Sequence, residues 1–270
     1  VGPGKTGDYL TDKLTDHALR IIAEQKDCPF FLSLWFHTVH TPIEGKPALV
    51  KRFEKKPAGK IHSHAEYAAM LASLDENIGR VLRQLDDLKL ADRTVVILTS
   101  DNGGVDFPTA KSGNHPPTRN APFRSGKGTL YEGGLRVPLI IRWPGRTHPG
   151  SECAAQVTSQ DFFPTLADAL GQADAPQHDG ESLLPRLRDP KAQLAREALY
   201  WHYPHYYPRM TPGSAVREGD WKLIHYYEGD RVELFNFHND PVAAEIVLFS
   251  RIPVTLVDLA ACRQVGISRE

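Results

Sequence analysis

"RTVVILTSDNGG", residues 93–104, decides how this chain is read. Val95, Val96, Ile97 and Leu98 form a continuous apolar run of strand length, the pattern of a strand covered on both faces. The run then ends in an acid, an amide and two glycines. Asp-Asn-Gly is ordinary turn chemistry. An Asp carboxylate beside an Asn carbonyl is also a pair of hard oxygen ligands suited to Ca²⁺ or Mg²⁺, and glycines behind them let backbone approach closely. On these residues alone a plain turn and a metal-binding loop both stand.

Working outward, "HAEYAAMLASLDENIGRVLRQLDDLKL" precedes this strand and carries Leu71, Leu74, Ile78, Val81, Leu82, Leu85 and Leu88 at helical spacing. Its Asp86-Asp87 pair reads as a solvated face. Further upstream, "DYLTDKLTDHALRIIAEQ" places Leu10, Leu14, Ala18, Ile21 and Ile22 on one helical stripe, and "PFFLSLWF" after it is a short apolar run. The order helix, strand, helix, strand predicts an α/β fold with a mainly parallel sheet flanked by helices, in which ligands gather beyond the carboxyl ends of the strands. "LRVPLIIRWPG" reads as a third strand and "SQDFFPTLADALG" as a helix stopped by Gly171. A Pro-rich stretch, about 172–194, then separates an α/β part, 1–190, from a small α+β C-terminal subdomain, 191–270. There "SAVREGDWKLIHYYEGDRVELFNF" has the turn-punctuated pattern of an antiparallel meander.

The strand ends can now be compared. The first finishes in "HTVHTP", the second in "TSDNGG". If both strands are parallel, His37, His40, Asp101 and Asn102 share one rim of one sheet, which favours a site over a turn. A further element, "APFRSGKGTLYEGGLRVP", sets Lys127 between two glycines. The phosphate-loop pattern fails here, because Ala121 stands where its first Gly belongs and Gly128 where Ser or Thr must follow the Lys. Lys127 is then either a solvated surface lysine or a point charge for an oxyanion, worth about 4 kcal/mol at about 4 Å in a dielectric near 20.

Composition adds bounds. The 270 residues are 41% apolar, enough for a substantial core, and 32 basic against 33 acidic residues leave a net charge of -1, without general attraction to nucleic acid or membranes. No run is long enough to span a bilayer and neither end resembles a signal peptide. The opening "VGPGKTGDYL" lacks Met, which suggests an internal piece. Cys28, Cys153 and Cys262 show no paired metal-ligand spacing, and their odd number argues against a disulfide framework.

Taken together, "PFFLSLWFHTVHTP", "TSDNGG", "FRSGKGTLYEGGLRVPLIIRWPG", "TSQDFFPTL" and "ELFNFHNDP" resemble, in this order, the formylglycine-dependent sulfatases of the alkaline-phosphatase-like superfamily. Arylsulfatase A-like and N-acetylgalactosamine-6-sulfatase-like members are nearest in character. The resemblance implies a sulfuric ester hydrolase acting on a sulfated sugar or aryl sulfate. It implies that Asp101 and Asn102 are two ligands of a single divalent cation, usually Ca²⁺. His40 matches the histidine that touches the sulfate and can protonate the leaving oxygen, and Lys127 the lysine that grips a sulfate oxygen. Developing negative charge on the bridging oxygen is what such preorganised cations would stabilise. His37 either lines the pocket or packs under it. His202 and His205, in "YWHYPHYYP", resemble a segment that reaches the substrate, or else form an aromatic packing corner. Arg124 faces substrate or is a surface arginine. By analogy the parent protein is periplasmic or secreted.

The departures are equally specific. Family members attack with a formylglycine made from a Cys-x-Pro-x-Arg motif, and an upstream aspartate pair completes the metal site; neither occurs in these residues. Pro29 follows Cys28 directly. Asp101 and Asn102 supply at most three of the six to eight oxygens that Ca²⁺ takes. The chain therefore reads as a C-terminal portion, expected to be inactive alone, and its residues 242–270 depart from the family's usual ending. Two other classes remain: a phosphomonoesterase or phosphodiesterase of the same superfamily, and a non-catalytic sulfatase remnant.

Overall fold

In a computed structural model of the chain, the described residues are 5, 7–57, 59, 63–109, 112, 115–172, 176–237 and 245–246, the last two by backbone only. They form two compact units. One comprises 1–96 and 104–121, the other 97–103 and 122–270.

The first unit is built on two long helices, α1 (Leu10–Glu24) and α3 (Ala65–Asp87), with the short α2 (Pro47–Glu54) against α3. α2 was not foreseen from the sequence; Pro47 at its first turn marks its start. The His64 ring accepts the Tyr67 N–H at 3.3 Å and caps α3. Ile22, Leu85, Leu90 and Ala91 make the core, with Phe30, Leu32, Val81, Leu88 and Val96 packed around it. On α1 the buried stripe differs from the expected one. Thr11, Thr15, Ala18 and Ile22 face inward, whereas Leu10 and Ile21 are 50% and 39% exposed. Polar pairing explains the rotation. Asp12 accepts bonds from Lys46 and Asn77, both at 2.7 Å, Arg80 reaches Asp16 at 2.5 Å, and Thr11 bonds Thr38 through their hydroxyls. These ties between α1 and its surroundings fix which face turns in. Attraction to Lys46 and Arg80 and the bonds from Lys46 and Asn77 outweigh burial and hold the Asp12 carboxyl below its usual range. Asp86 and Asp87 are solvated, as expected.

Residues 29–36 keep the alternation of a strand without belonging to a ladder among the described residues. Phe30 and Leu32 turn to the core, while Phe31 and Trp35 are 83% and 84% exposed.

The second unit holds two sheets. β1 (Val96–Thr99), whose first residue belongs to the first unit, pairs with β2 (Leu139–Arg142). β1 was expected to be covered on both faces, yet Leu98 is exposed, as is Ile140 of β2, because this sheet has only two strands among the described residues. α4 (Glu132–Leu135), α5 (Phe162–Ala169) and α6 (Leu184–Arg188) lie between and after them. Asp161 is fully buried ahead of α5. It accepts both arms of Arg196 at 2.6 and 2.7 Å and the N–H groups of Thr158 and Glu181, which fastens residues 156–161 to the chain entering the second sheet.

In that second sheet the expected meander over 214–237 forms as β4 (Gly213–Glu218), β5 (Trp221–Tyr226) and β6 (Arg231–Asn236); β3 (Ala198–Tyr203) and β7 (Glu245–Ile246), not foreseen from the sequence, extend it on either side, each strand antiparallel to the next. Strand alternation sorts its side chains. Trp201 and Tyr203, Ala215 and Arg217, Lys222, Ile224 and Tyr226, and Glu233 and Phe235 share one face by register. That face packs on Leu130, Tyr131 and Leu135, so the segment around Lys127 lies on the sheet. Of the atypical tail 242–270, only the two residues of β7 are described.

Candidate active site

Within the second unit, two of the three motifs singled out by sequence meet through their backbones. Leaving β1, Thr99 donates its hydroxyl to the Pro138 carbonyl at 3.0 Å and Ser100 bonds the Asn102 carbonyl at 3.0 Å. Asp101 is exposed; its Oδ1 accepts the Asn102 N–H at 2.9 Å, which leaves Oδ2 as the oxygen it can offer a ligand. Asn102 commits its amide nitrogen to the Gly103 carbonyl at 3.0 Å, so Oδ1 is the atom it offers elsewhere. The Gly103 N–H then donates to the Gly134 carbonyl at 3.0 Å, joining "TSDNGG" to "GKGTLYEGG". A Cβ at Gly103 would stand 1.7 Å from the Gly133 oxygen, so no other residue allows this approach.

The Lys127 turn is equally tight. The Gly133 N–H donates to the Arg124 carbonyl at 2.9 Å, and the Thr129 hydroxyl to the Gly126 carbonyl at 2.8 Å. Ser125 and Gly128 have left-handed backbone, φ 59° and 76°, and a Cβ at Gly128 would lie 2.2 Å from the Tyr207 ring. Lys127 itself is half-buried between Gly126 and Gly128. Arg124 is exposed, yet its guanidinium is engaged: it stacks 4.1 Å from the centre of the Tyr131 ring and lies 3.6 Å from Glu233.

Two buried carboxylates that sequence reading missed hold this turn. Glu132 receives Lys222 at 2.8 Å and Arg217 at 2.7 Å. Burial would raise its carboxyl, but attraction to these two cations wins and holds it below the usual carboxylate range. Lys222 is 1% exposed; desolvation pushes its ammonium down, against the pull of Glu132. Glu233 accepts Tyr131 at 2.8 Å and Tyr226 at 3.2 Å and pairs with Arg231. Burial first, then its bond to Tyr226 and its place beside Glu233, drives the Tyr131 phenol far up. A signal for them existed: Lys222, Ile224 and Tyr226 alternate on one strand face, which puts a lysine in a core slot that demands a buried partner.

The histidines divide between units. In the first, His37 and His40 are both exposed, with rings 5.3 Å apart; His40 Nδ1 lies 2.9 Å from the Thr41 carbonyl. In the second, His202 bonds the Tyr227 hydroxyl at 2.7 Å and alternates to the sheet face opposite Trp201 and Tyr203. His205 lies at the end of β3 with its ring edge-on to Tyr203, centroids 5.3 Å apart.

Asp101 and Asn102 fit one side of a Ca²⁺ sphere by donor type and fall short of a whole one. Among the described residues, no group of three or more His, Cys, Asp or Glu side chains could hold a metal. No helix among them is long and apolar enough to cross a membrane.

Comparison with known proteins places the chain in a family. Residues 2–172 match the sulfatase family, and residues 125–253 the C-terminal part of N-sulphoglucosamine sulphohydrolase. The chain belongs to the sulfatase family. It is 37% identical over 259 residues to a sulfatase of Formosa agariphila, covering 87% of this chain and 45% of that protein. Human arylsulfatase A is 32% identical over 267 residues, with 96% of this chain and 47% of the relative covered. The structure of Ps i-CgsB in complex with k-i-k-neocarrahexaose superimposes with a TM-score of 0.72 at 25% identity, covering 97% of this chain and 55% of that one. The chain thus spans less than half the length of these curated relatives, and the alkaline-phosphatase-like α/β fold class with its antiparallel C-terminal sheet is that of its structural neighbours.

Proposed function

We propose that this chain carries the C-terminal part of a sulfuric ester hydrolase that removes sulfate from a sulfated sugar or aryl sulfate. The observation that carries this is the Gly103 N–H bond to Gly134, which sets the Asp101-Asn102 loop against the turn of Lys127 inside one unit. Hard oxygens and a lysine on adjoining backbone suit a tetrahedral sulfate ester whose negative charge is shared between a cation and an ammonium. The complex of a related fold with a carbohydrate supports a sugar ester as ligand.

Each residue's part follows from its chemistry. Asp101 Oδ2 and Asn102 Oδ1 would hold one side of a Ca²⁺ ion, which when bound would neutralise sulfate charge. Lys127 would bind a sulfate oxygen and stabilise charge that grows as the S–O bond breaks. In the first unit, His40 has the chemistry of a proton donor to a leaving oxygen and His37 that of a polar contact to an organic group. In the second, His205 has the chemistry of such a contact. We assign His202 and Arg124 to packing instead, because His202 faces away from the Lys127 turn and Arg124 is held by Glu233 and Tyr131. A formylglycine nucleophile and further metal ligands would come from residues outside this chain, in a periplasmic or secreted parent.

Assay with 4-nitrophenyl sulfate and 4-nitrophenyl phosphate tests this. The 270 residues alone should turn over neither ester, and the complete parent protein should prefer the sulfate. Turnover by the short chain would refute the missing nucleophile, and a phosphate preference of the parent would refute the reaction class.

A further inference from the structure

The turn that presents Lys127 has little regular structure of its own. Between residues 124 and 134 the chain passes through two left-handed positions and one helical turn, and such backbone persists only where its surroundings over-determine it. Apolar packing by Leu130 and Tyr131 on the sheet supplies burial but no direction. Direction comes from two points. Arg124 at the near end and Tyr131 toward the far end converge on Glu233 of β6, and Glu132, next to Tyr131, reaches Lys222 of β5 and Arg217 of β4.

We propose that Glu132 and Glu233 are positioning residues: paired with the C-terminal sheet at both ends of the 124–134 turn, they fix where Lys127 is held. The inference rests on reading Lys127 as the sulfate-binding lysine. The charge balance fits the task. Glu132 meets two cations, Lys222 and Arg217, and Glu233 meets two, Arg231 and Arg124. Each carboxylate is thereby more than neutralised, so neither competes for the Lys127 ammonium, and the underside of the turn keeps a net positive charge that favours a bound anion. Stability alone does not account for the arrangement, since apolar residues of similar volume commonly serve a core as well as a buried ion pair. The turn is in turn bonded to Gly103, so the same sheet also sets the Asp101-Asn102 loop.

The test compares Glu132→Gln with Val232→Ala, a buried site on the opposite face of the same sheet. Amide hydrogen exchange and affinity for inorganic sulfate are measured on the 270-residue chain. Glu132→Gln should speed exchange at Thr129, Gly133, Gly134 and Gly103 at least tenfold and weaken sulfate binding at least tenfold. Val232→Ala should leave both within about threefold once its global destabilisation is subtracted. If Glu132→Gln does not fold, Arg217→Met, which removes one of the two cations at the partly exposed margin, replaces it with the same expectation. Unchanged exchange in the turn, or an equal loss in Val232→Ala, would overturn the proposal. Lys127→Ala separates the two readings. If it keeps wild-type sulfate affinity, or if the wild type binds no sulfate, the role of Lys127 fails, and the exchange data still decide the positioning role.

Discussion

Gly103→Ala should be among the most damaging single-methyl additions in the second unit. The added Cβ would lie 1.7 Å from the Gly133 oxygen and 2.8 Å from its carbonyl carbon, both backbone atoms that no rotamer change can move. Relieving the clash to an ordinary carbon–oxygen contact of about 3.3 Å needs a separation of roughly 1.6 Å. The Gly103 N–H to Gly134 bond, 3.0 Å long, would then be broken. Overpacking costs about 1–3 kcal/mol, and the buried N–H left without its acceptor about 1–3 kcal/mol more, giving about 2–6 kcal/mol in all, with a midpoint of about 4. Gly145→Ala is the control. It has φ 76° and open space around it, so only backbone strain applies, about 1–2 kcal/mol. Urea unfolding followed by tryptophan fluorescence reports mainly the second unit, because Trp143, Trp201 and Trp221 lie there and only Trp35 in the first. A Gly103→Ala midpoint shift no larger than that of Gly145→Ala would show that the two motifs are not in backbone contact.

Lys222→Met should destabilise by about 3 kcal/mol, since Glu132 keeps only Arg217, and Glu132→Gln in the same chain should recover part of the loss; a double variant as weak as the two losses summed would contradict the pairing. Because the folded Glu132 carboxyl lies below its unfolded value of about 4.3, its contribution is present above that pH and lost as pH falls through the folded value. Acid unfolding of Glu132→Gln should accordingly be less steep than that of wild type between about pH 5 and pH 3, and identical slopes would deny the effect. Asp161→Asn should cost about 2–4 kcal/mol, because it leaves Arg196 without its bidentate partner; differential scanning calorimetry would show a loss under 1 kcal/mol if that bridge were decorative.

Much of this architecture was legible in the sequence, and the exceptions have physical causes. The 3.6-residue period of α3 and the turn-broken alternation of β4 to β6 are local signals, and both elements formed where those signals lay; β3, without a Gly-Asp turn beside it, was not foreseen. Residues 29–36 show why a strand pattern is insufficient: alternation sets the side-chain faces, but a ladder needs a neighbour, and Phe31 and Trp35 remain exposed. On α1 hydrophobicity pointed to Leu10 and Ile21, while the buried contacts went to Thr11 and Thr15, because Asp12 and Thr11 had partners 27 to 65 residues away. Glu132 and Lys222 were missed for the same reason. Their pairing spans 90 residues, and no window along the chain contains both.

Adding Mn²⁺ as a paramagnetic probe of the proposed cation position gives the most direct measurement of the claim that the Asp101-Asn102 loop and the Lys127 turn form one half-site. Paramagnetic broadening of backbone amides should reach residues 101–103 and 126–134 together, and Asp101→Ala should abolish it at both. Broadening confined to one segment, or surviving in Asp101→Ala, would contradict it.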